Sequence, residues 1–111
     1  MNYAKYSYNI IRQEGNLSGF SVEFTELSLT DRFVSIQVRD RNNTLIFEKT
    51  TPTGGIVINS DEKGFEITFE PEDTKGHAGA HQYEIDIMDN MDRPFLTIGG
   101  LFIIEPEIND R

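Results

Sequence analysis

The sequence contains no cysteine, and basic residues are scarce in it. Without cysteine there is no disulfide framework, no thiolate metal site and no cysteine nucleophile. Ten lysines and arginines stand against 19 aspartates and glutamates, which gives a net charge of −9. A surface of that sign repels phosphate groups, so neither nucleic acid nor an anionic membrane surface is an expected partner.

Long hydrophobic runs are missing as well. The longest one spans residues 101–104, whereas a membrane-spanning helix needs about 20 apolar residues. The first residues contain no apolar segment of the kind that a secretory signal peptide carries, and the last residues offer no cysteine for lipidation. These absences predict a soluble protein that is made in the cytoplasm.

What the sequence does contain is a regular alternation of apolar and polar residues. Apolar residues make up 37% of the 111 residues, enough for the core of one domain spanning residues 1–111. In the clearest run, Val34, Ile36 and Val38 share one face, which is the pattern of a half-buried strand. Comparable runs predict about eight short strands in total. They lie at residues 6–10, 20–24, 34–38, 45–47, 56–58, 65–69, 83–87 and 95–104.

Turn-forming residues separate these runs. Asn42 and Asn43 follow the third run, and asparagine tolerates the left-handed conformation that tight hairpins need. Residues 52–55, 61–64 and 89–94 interrupt the chain in a similar way. No window carries the apolar stripe of a helix of three turns. Strands that recur about every 8–12 residues predict a β-sandwich or a small barrel.

Gly99 and Gly100 lie inside the last predicted strand, where glycine is costly unless a bulge or a close backbone approach needs it. Leu96 and Ile98 have one parity, whereas Leu101 and Ile103 have the other. A one-residue bulge at the glycines would return both pairs to the same face, and we predict such a bulge. The alternative is that Ile98, Phe102 and Ile104 point inward and that the strand is covered on both sides.

Tyr83 begins a strand after the weakly hydrophobic stretch 71–82. In immunoglobulin-like sandwiches, a tyrosine at this corner donates a hydrogen bond back across the turn. Tyr83 is therefore either such a corner residue, with Asp73 or a nearby backbone carbonyl as acceptor, or an ordinary core tyrosine.

Two groups of residues have spacings reminiscent of metal sites. His77 and His81 are four residues apart, but they lie in a predicted loop that lacks the glutamate of the helical zinc-protease motif. Asp86, Asp89 and Asp92 lack the alternating ligands, the glycine and the final glutamate of a calcium loop. Solvated loop histidines and a polar turn explain both groups better, so we expect no metal and no cofactor.

The acidic residues of the strands do not form a catalytic pair. Glu66, Glu70, Glu84 and Asp86 occupy the polar phase of strands whose other phase is apolar, which is the pattern of a solvated outer face. No serine lies in a nucleophile elbow, and Gly54–Gly55 is not followed by the residues of a phosphate-binding loop. The sequence therefore predicts no catalytic residue and no enzymatic activity.

Aromatic residues near the start of the chain are the remaining functional feature. Tyr3, Tyr6 and Tyr8 lie close together, before any clear core strand. Exposed tyrosine is favoured at protein interfaces because it buries a large area with few rotatable bonds. Residues 1–9 are therefore expected to form either an interface arm that uses these tyrosines or an edge strand whose tyrosines pack inward.

Several short motifs occur in an order that resembles that of a known family. They are FVSIQVRD at 33–40, TLIF at 44–47, GGIVI at 54–58, GFEI at 64–67, PEDT at 71–74, YEIDI at 83–87 and LTIGGLFI at 96–103. Their order and spacing over residues 29–108 resemble small structural proteins of tailed phages and prophages. The resemblance implies a single antiparallel, immunoglobulin-like β-sandwich of about seven to nine short strands.

The same resemblance implies a role in a virus particle. The chain would be a non-enzymatic component of a tailed-phage virion, such as a capsid-associated, tail or baseplate protein, that docks onto other virion proteins. A homo-oligomer in the assembled particle is left open. Two alternatives also stay open, namely a module that recognises glycan on the host surface and a small phage-encoded inhibitor of a host protein.

Overall fold

The computed structural model describes residues 4–89, 91 and 93–107, and nearly all regular structure in them is β-strand. Nine strands and one four-residue helix follow one another in this described part. They are β1 (Ala4–Ser7), β2 (Ile10–Gln13), β3 (Ser18–Glu23), β4 (Phe33–Arg39), β5 (Leu45–Thr50), β6 (Ile56–Ile58), β7 (Gly64–Phe69), α1 (Pro71–Thr74), β8 (Gly79–Met88) and β9 (Pro94–Glu105).

The strands form two sheets. The larger has the order β1-β9-β8-β4-β5, with β2 also paired to β9, and the smaller has the order β3-β7-β6. In immunoglobulin-like sandwiches, the last strand, its predecessor and the third strand form one sheet, and a fourth strand extends that sheet in the variable type. The run β9-β8-β4-β5 has this order, and β3-β7-β6 corresponds to the opposing sheet. The fold is thus an immunoglobulin-like β-sandwich, as predicted.

The core lies between the two sheets and contains a cluster of aromatic rings. Apolar residues of β4, β7 and β8 that share one phase of the alternation are buried, as predicted from their spacing. The Phe69 ring of the small sheet meets the Phe102 ring of the large sheet edge to face, with centroids 5.2 Å apart. Phe47 packs against both rings in the same manner. Such contacts fix the spacing of the sheets in addition to burying apolar area.

The pairing of the first two strands corrects the prediction of an antiparallel sandwich. Both β1 and β2 run parallel to β9, with Ala4 opposite Leu96 and Ile10 opposite Phe102. The other strand pairs of the described chain are antiparallel. Alternation shows which face of a strand is buried, but it carries no information about which strand lies beside it or in which direction.

The predicted bulge at Gly99 and Gly100 is wrong. The β8–β9 register continues through both glycines and shifts only at Ile87/Met88. Phe102 is fully buried, whereas Leu101 is 41% exposed on the outer face. Gly100 instead serves a close backbone approach, because a Cβ atom there would collide with the carbonyl oxygen of Tyr8.

The two glycines should therefore respond differently to substitution. We expect Gly100→Ala to lower the free energy of unfolding by about 1–3 kcal/mol, since the methyl group would push the Tyr8 backbone away from β9. Gly99→Ala is the matched control, because its Cβ would lie 3.4 Å from the Tyr83 carbonyl oxygen, an ordinary contact. Urea denaturation of both variants measures the difference, and equal stabilities would contradict the assigned role of Gly100.

Candidate docking surface

Tyr6 and Tyr8 lie at the edge of the larger sheet and are exposed. Their exposed fractions are 56% and 58%. Tyr6 belongs to β1, the outermost strand of that sheet, and Tyr8 follows it directly. Tyr3, the third tyrosine predicted for the interface, lies outside the described residues.

Both tyrosines line an open groove at one side of the sandwich. The opposite wall consists of Phe20, Val22 and Phe24, which share the inward face of β3 and its continuation, and the groove has a volume of about 600 Å³. The Tyr8 and Phe20 rings lie 5.8 Å apart between centroids. The groove therefore runs between the free edges of the two sheets, and apolar and aromatic side chains line much of it.

A hydrogen bond from a core residue holds the segment that carries Tyr6 and Tyr8 in place. The Tyr83 hydroxyl donates to the Tyr8 carbonyl oxygen over 2.6 Å, across the space that Gly100 leaves open. Next to it, the Leu101 N–H donates to Asn9 Oδ1 over 3.0 Å. The chain between β1 and β2 is thus fixed to β9 by two side chains as well as by the parallel ladders.

The structure decides between the two interpretations of Tyr83. Tyr83 is a core tyrosine, only 4% exposed, and its acceptor is neither Asp73 nor a carbonyl of the same corner. Asp73 instead pairs with Lys49 at 2.6 Å and accepts the Glu70 N–H. The acceptor of Tyr83 is 75 residues away in the sequence, so local spacing could not identify it.

Burial changes the acidity of Tyr83. Loss of solvent around the phenol, followed by the neighbouring Tyr8, raises the pKa of Tyr83 from 10.0 to about 12. Both causes disfavour the phenolate, because a charge there would be poorly solvated and would be repelled by negative charge on the neighbouring tyrosine. At neutral pH, Tyr83 therefore remains a hydrogen-bond donor.

Arg12 lies beside the start of β3. The Arg12 guanidinium donates to the Gly19 carbonyl oxygen over 2.6 Å. It also lies 6.0 Å from the centroids of Phe20 and Phe69. Arg12 therefore links β2 of the larger sheet to β3 of the smaller sheet, next to the Phe20 ring of the groove wall.

The residues with metal-like spacings do not assemble a metal site in the described part of the chain. His81 lies in β8 and not in a loop as predicted, and its Nε2 is 2.6 Å from the His77 carbonyl oxygen. Asp89 accepts hydrogen bonds from the backbone N–H groups of Arg93 and Met91, which lower its pKa. Asp86 accepts the Thr97 hydroxyl, and Asp92 lies outside the described residues.

The strand carboxylates lie mainly on the surface, as the alternation predicted. Glu66, Glu70 and Glu84 are exposed, and Asp86 is half-buried. They are distributed over β7, β8 and the start of α1, so they coat the sandwich and do not converge in a cleft. No helical segment in the described part of the chain combines the length and the hydropathy that crossing a bilayer requires.

Comparison with known proteins identifies no family for this chain. The sequence matches no protein-family model and no curated protein. In three dimensions the chain is similar to a crystal structure of the second immunoglobulin domain from the mouse polymeric immunoglobulin receptor, with a TM-score of 0.47 and 11% sequence identity. The match covers 96% of this chain and 99% of that one. The assignment of the fold therefore rests on the strand order and pairing given above.

The buried phenol should make the protein sensitive to alkaline pH. Between pH 10 and about 12, the unfolded chain loses the Tyr83 proton whereas the folded chain keeps it. The free energy of unfolding should therefore fall as the pH rises through this window. At neutral pH, Tyr83→Phe should cost about 0.5–1.5 kcal/mol, because the Tyr8 carbonyl loses its donor.

Urea denaturation at several pH values checks this prediction. Tyr83→Phe should flatten the alkaline decline, whereas the control Tyr6→Phe, at an exposed position, should retain it. An unchanged decline in Tyr83→Phe would show that other groups cause it.

Proposed function

We propose that this chain is a non-enzymatic structural component of a tailed-phage virion that acts by docking onto another virion protein. The order and spacing of motifs over residues 29–108 support the virion role, since they resemble small structural proteins of tailed phages. The observation that carries the docking mechanism is the aromatic groove between the edges of the two sheets, with Tyr6 and Tyr8 exposed on one wall.

The composition of this groove suits protein recognition. Aromatic residues are enriched at the buried centres of protein interfaces, because their rigid rings bury a large area at a small entropic cost. Phe20, Val22 and Phe24 are only partly buried although they share the core-facing phase of their strand. A partner that covers them would bury apolar surface that remains in contact with solvent in the free chain.

The charge of the chain supports the same mechanism. A net charge of −9, carried by exposed carboxylates such as Glu66 and Glu84, favours a partner with basic patches and keeps free copies apart before assembly. The proposed partners are capsid, tail or baseplate proteins, and the proposed location is the virion, after synthesis in the host cytoplasm. The proposal includes neither a cofactor nor a catalytic residue.

A trough on the outer face of the larger sheet favours a second candidate function, recognition of host glycan. A depression of about 610 Å³ lies there beside Gly99, lined among others by Asn9 and Gln82. Amide side chains both donate and accept hydrogen bonds, which suits the hydroxyl groups of a sugar. Binding of the full chain to a glycan array would support this function, and its absence would remove it.

The docking proposal predicts that this chain is present in purified phage particles. Mass spectrometry with copy-number determination tests its presence directly. The double variant Tyr6→Ser and Tyr8→Ser should reduce retention on particles about tenfold or more, because each truncation of an interface tyrosine can cost above 1 kcal/mol.

A matched control is available on the other sheet. Val57→Ser changes a side chain that is 61% exposed on β6, away from the groove, and should leave retention unchanged. Absence of the chain from particles would contradict the virion role. Equal retention of both variants and the wild type would contradict docking through the tyrosines.

A further inference from the structure

The outer edge of β3 has no strand beside it in the described part of the chain. In immunoglobulin-like sandwiches the first strand commonly extends the sheet that contains the second, fourth and fifth strands. Here that sheet is only β3-β7-β6, because both β1 and β2 pair with β9 of the other sheet. None of the described strands therefore occupies the position of a first strand next to β3.

The backbone groups of β3 alternate between its partner and this open side. The Phe24 N–H donates to the Lys63 carbonyl over 2.7 Å. The backbone N–H and C=O groups of Phe24 and of the β3 residues with the same parity therefore point toward β7. The N–H and C=O groups of the intervening residues must point outward. The Arg12 guanidinium already binds the outward carbonyl of Gly19. The outward backbone groups of Ser21 and Glu23 have no hydrogen-bond partner among the residues that the structure describes.

These groups border the aromatic groove. Ser21 and Glu23 line it together with the inward side chains of β3 and with Tyr6 and Tyr8. A strand added beside Ser21 and Glu23 would direct every second side chain into the groove and the others to solvent. Backbone hydrogen bonds and apolar burial would then act at the same place, which is the usual basis of strand-addition binding.

Charge indicates what kind of strand fits. Glu23 and Glu26 are both exposed at the end of β3 that Arg12 does not occupy, so this end favours a lysine or arginine of the incoming strand. A second copy of the chain is disfavoured, because two copies of net charge −9 repel each other. The edge thus suits a neutral or basic segment of a different protein.

We propose that the β3 edge binds an extended segment of the partner virion protein as an added β-strand. The segment alternates apolar residues that enter the groove with polar residues that face solvent, and it places a basic residue near Glu23 and Glu26. This inference rests on the proposed function, which supplies the partner, and it adds the mode of binding and the chemistry of the bound segment.

Amide hydrogen exchange of the full chain, free and bound to purified particles, tests the proposal without any mutation. The Ser21 and Glu23 amides should exchange rapidly in the free chain and at least about tenfold more slowly on particles, because opening of an added strand must precede exchange. Unchanged exchange of these amides in particle-bound protein would overturn the proposal. Protection that grows with the concentration of the free chain would also overturn it, in favour of a second copy.

A proline variant tests the same hydrogen bonds by removing one of their donors. Ser21→Pro removes an outward N–H and leaves the β7 ladder intact, a position where edge strands tolerate proline. The matched control is Glu48→Pro on β5, the outer strand at the opposite edge of the larger sheet, where the N–H also faces outward. Ser21→Pro should weaken particle binding about tenfold or more, whereas Glu48→Pro should bind like the wild type.

The outcomes separate this inference from the function on which it rests. Absence of the chain from particles overturns the virion role. Presence on particles, with equal binding of both proline variants and no protection of Ser21 and Glu23, overturns strand addition alone. If Ser21→Pro does not fold, as judged by its circular dichroism, the exchange measurement on the unmodified chain still decides.

Discussion

The parallel pairing of β1 and β2 with β9 determines where the first strands of this sandwich lie. The hydrogen bond from the Tyr83 hydroxyl to the Tyr8 carbonyl reinforces this pairing, because it crosses the space left by Gly100 and helps to hold the chain between β1 and β2 against β9. Because this segment is held on the larger sheet, it is not available to cover β3. The aromatic groove, the exposure of Tyr6 and Tyr8, and the open edge of the smaller sheet all follow from that placement.

Much of the fold could be predicted from the alternation of apolar and polar residues. The faces of β4, β7 and β8 are buried as their spacing indicates, since period-2 alternation directly reports one-sided burial. Alternation is ambiguous where both phases are apolar, as in β9, and for that strand it wrongly predicts a bulge. Strand neighbours depend on contacts between distant parts of the chain. The parallel pairing of β1 and β2 with β9 could therefore not be predicted from the alternation.

The candidate site was predictable in part. Tyr6 and Tyr8 are exposed, as expected for interface residues, but their sequence context does not reveal the groove beside them. Phe20, Val22 and Phe24 have the spacing of core residues. Only the open edge of the structure leaves them partly uncovered. A pattern within one strand shows which way a side chain points, whereas its exposure depends on whether another element covers it.

The parallel pairing of β1 with β9 also has a consequence for the order of folding. Ala4 pairs with Leu96, so nearly the whole chain must leave the ribosome before β1 meets its partner strand. Hairpin pairs such as β4 with β5 and β8 with β9 join neighbouring strands and close short loops, which costs less entropy. The N-terminal strand is thus among the last elements to be fixed, and until then Tyr8 and the inner face of β3 are open to other chains in the cell.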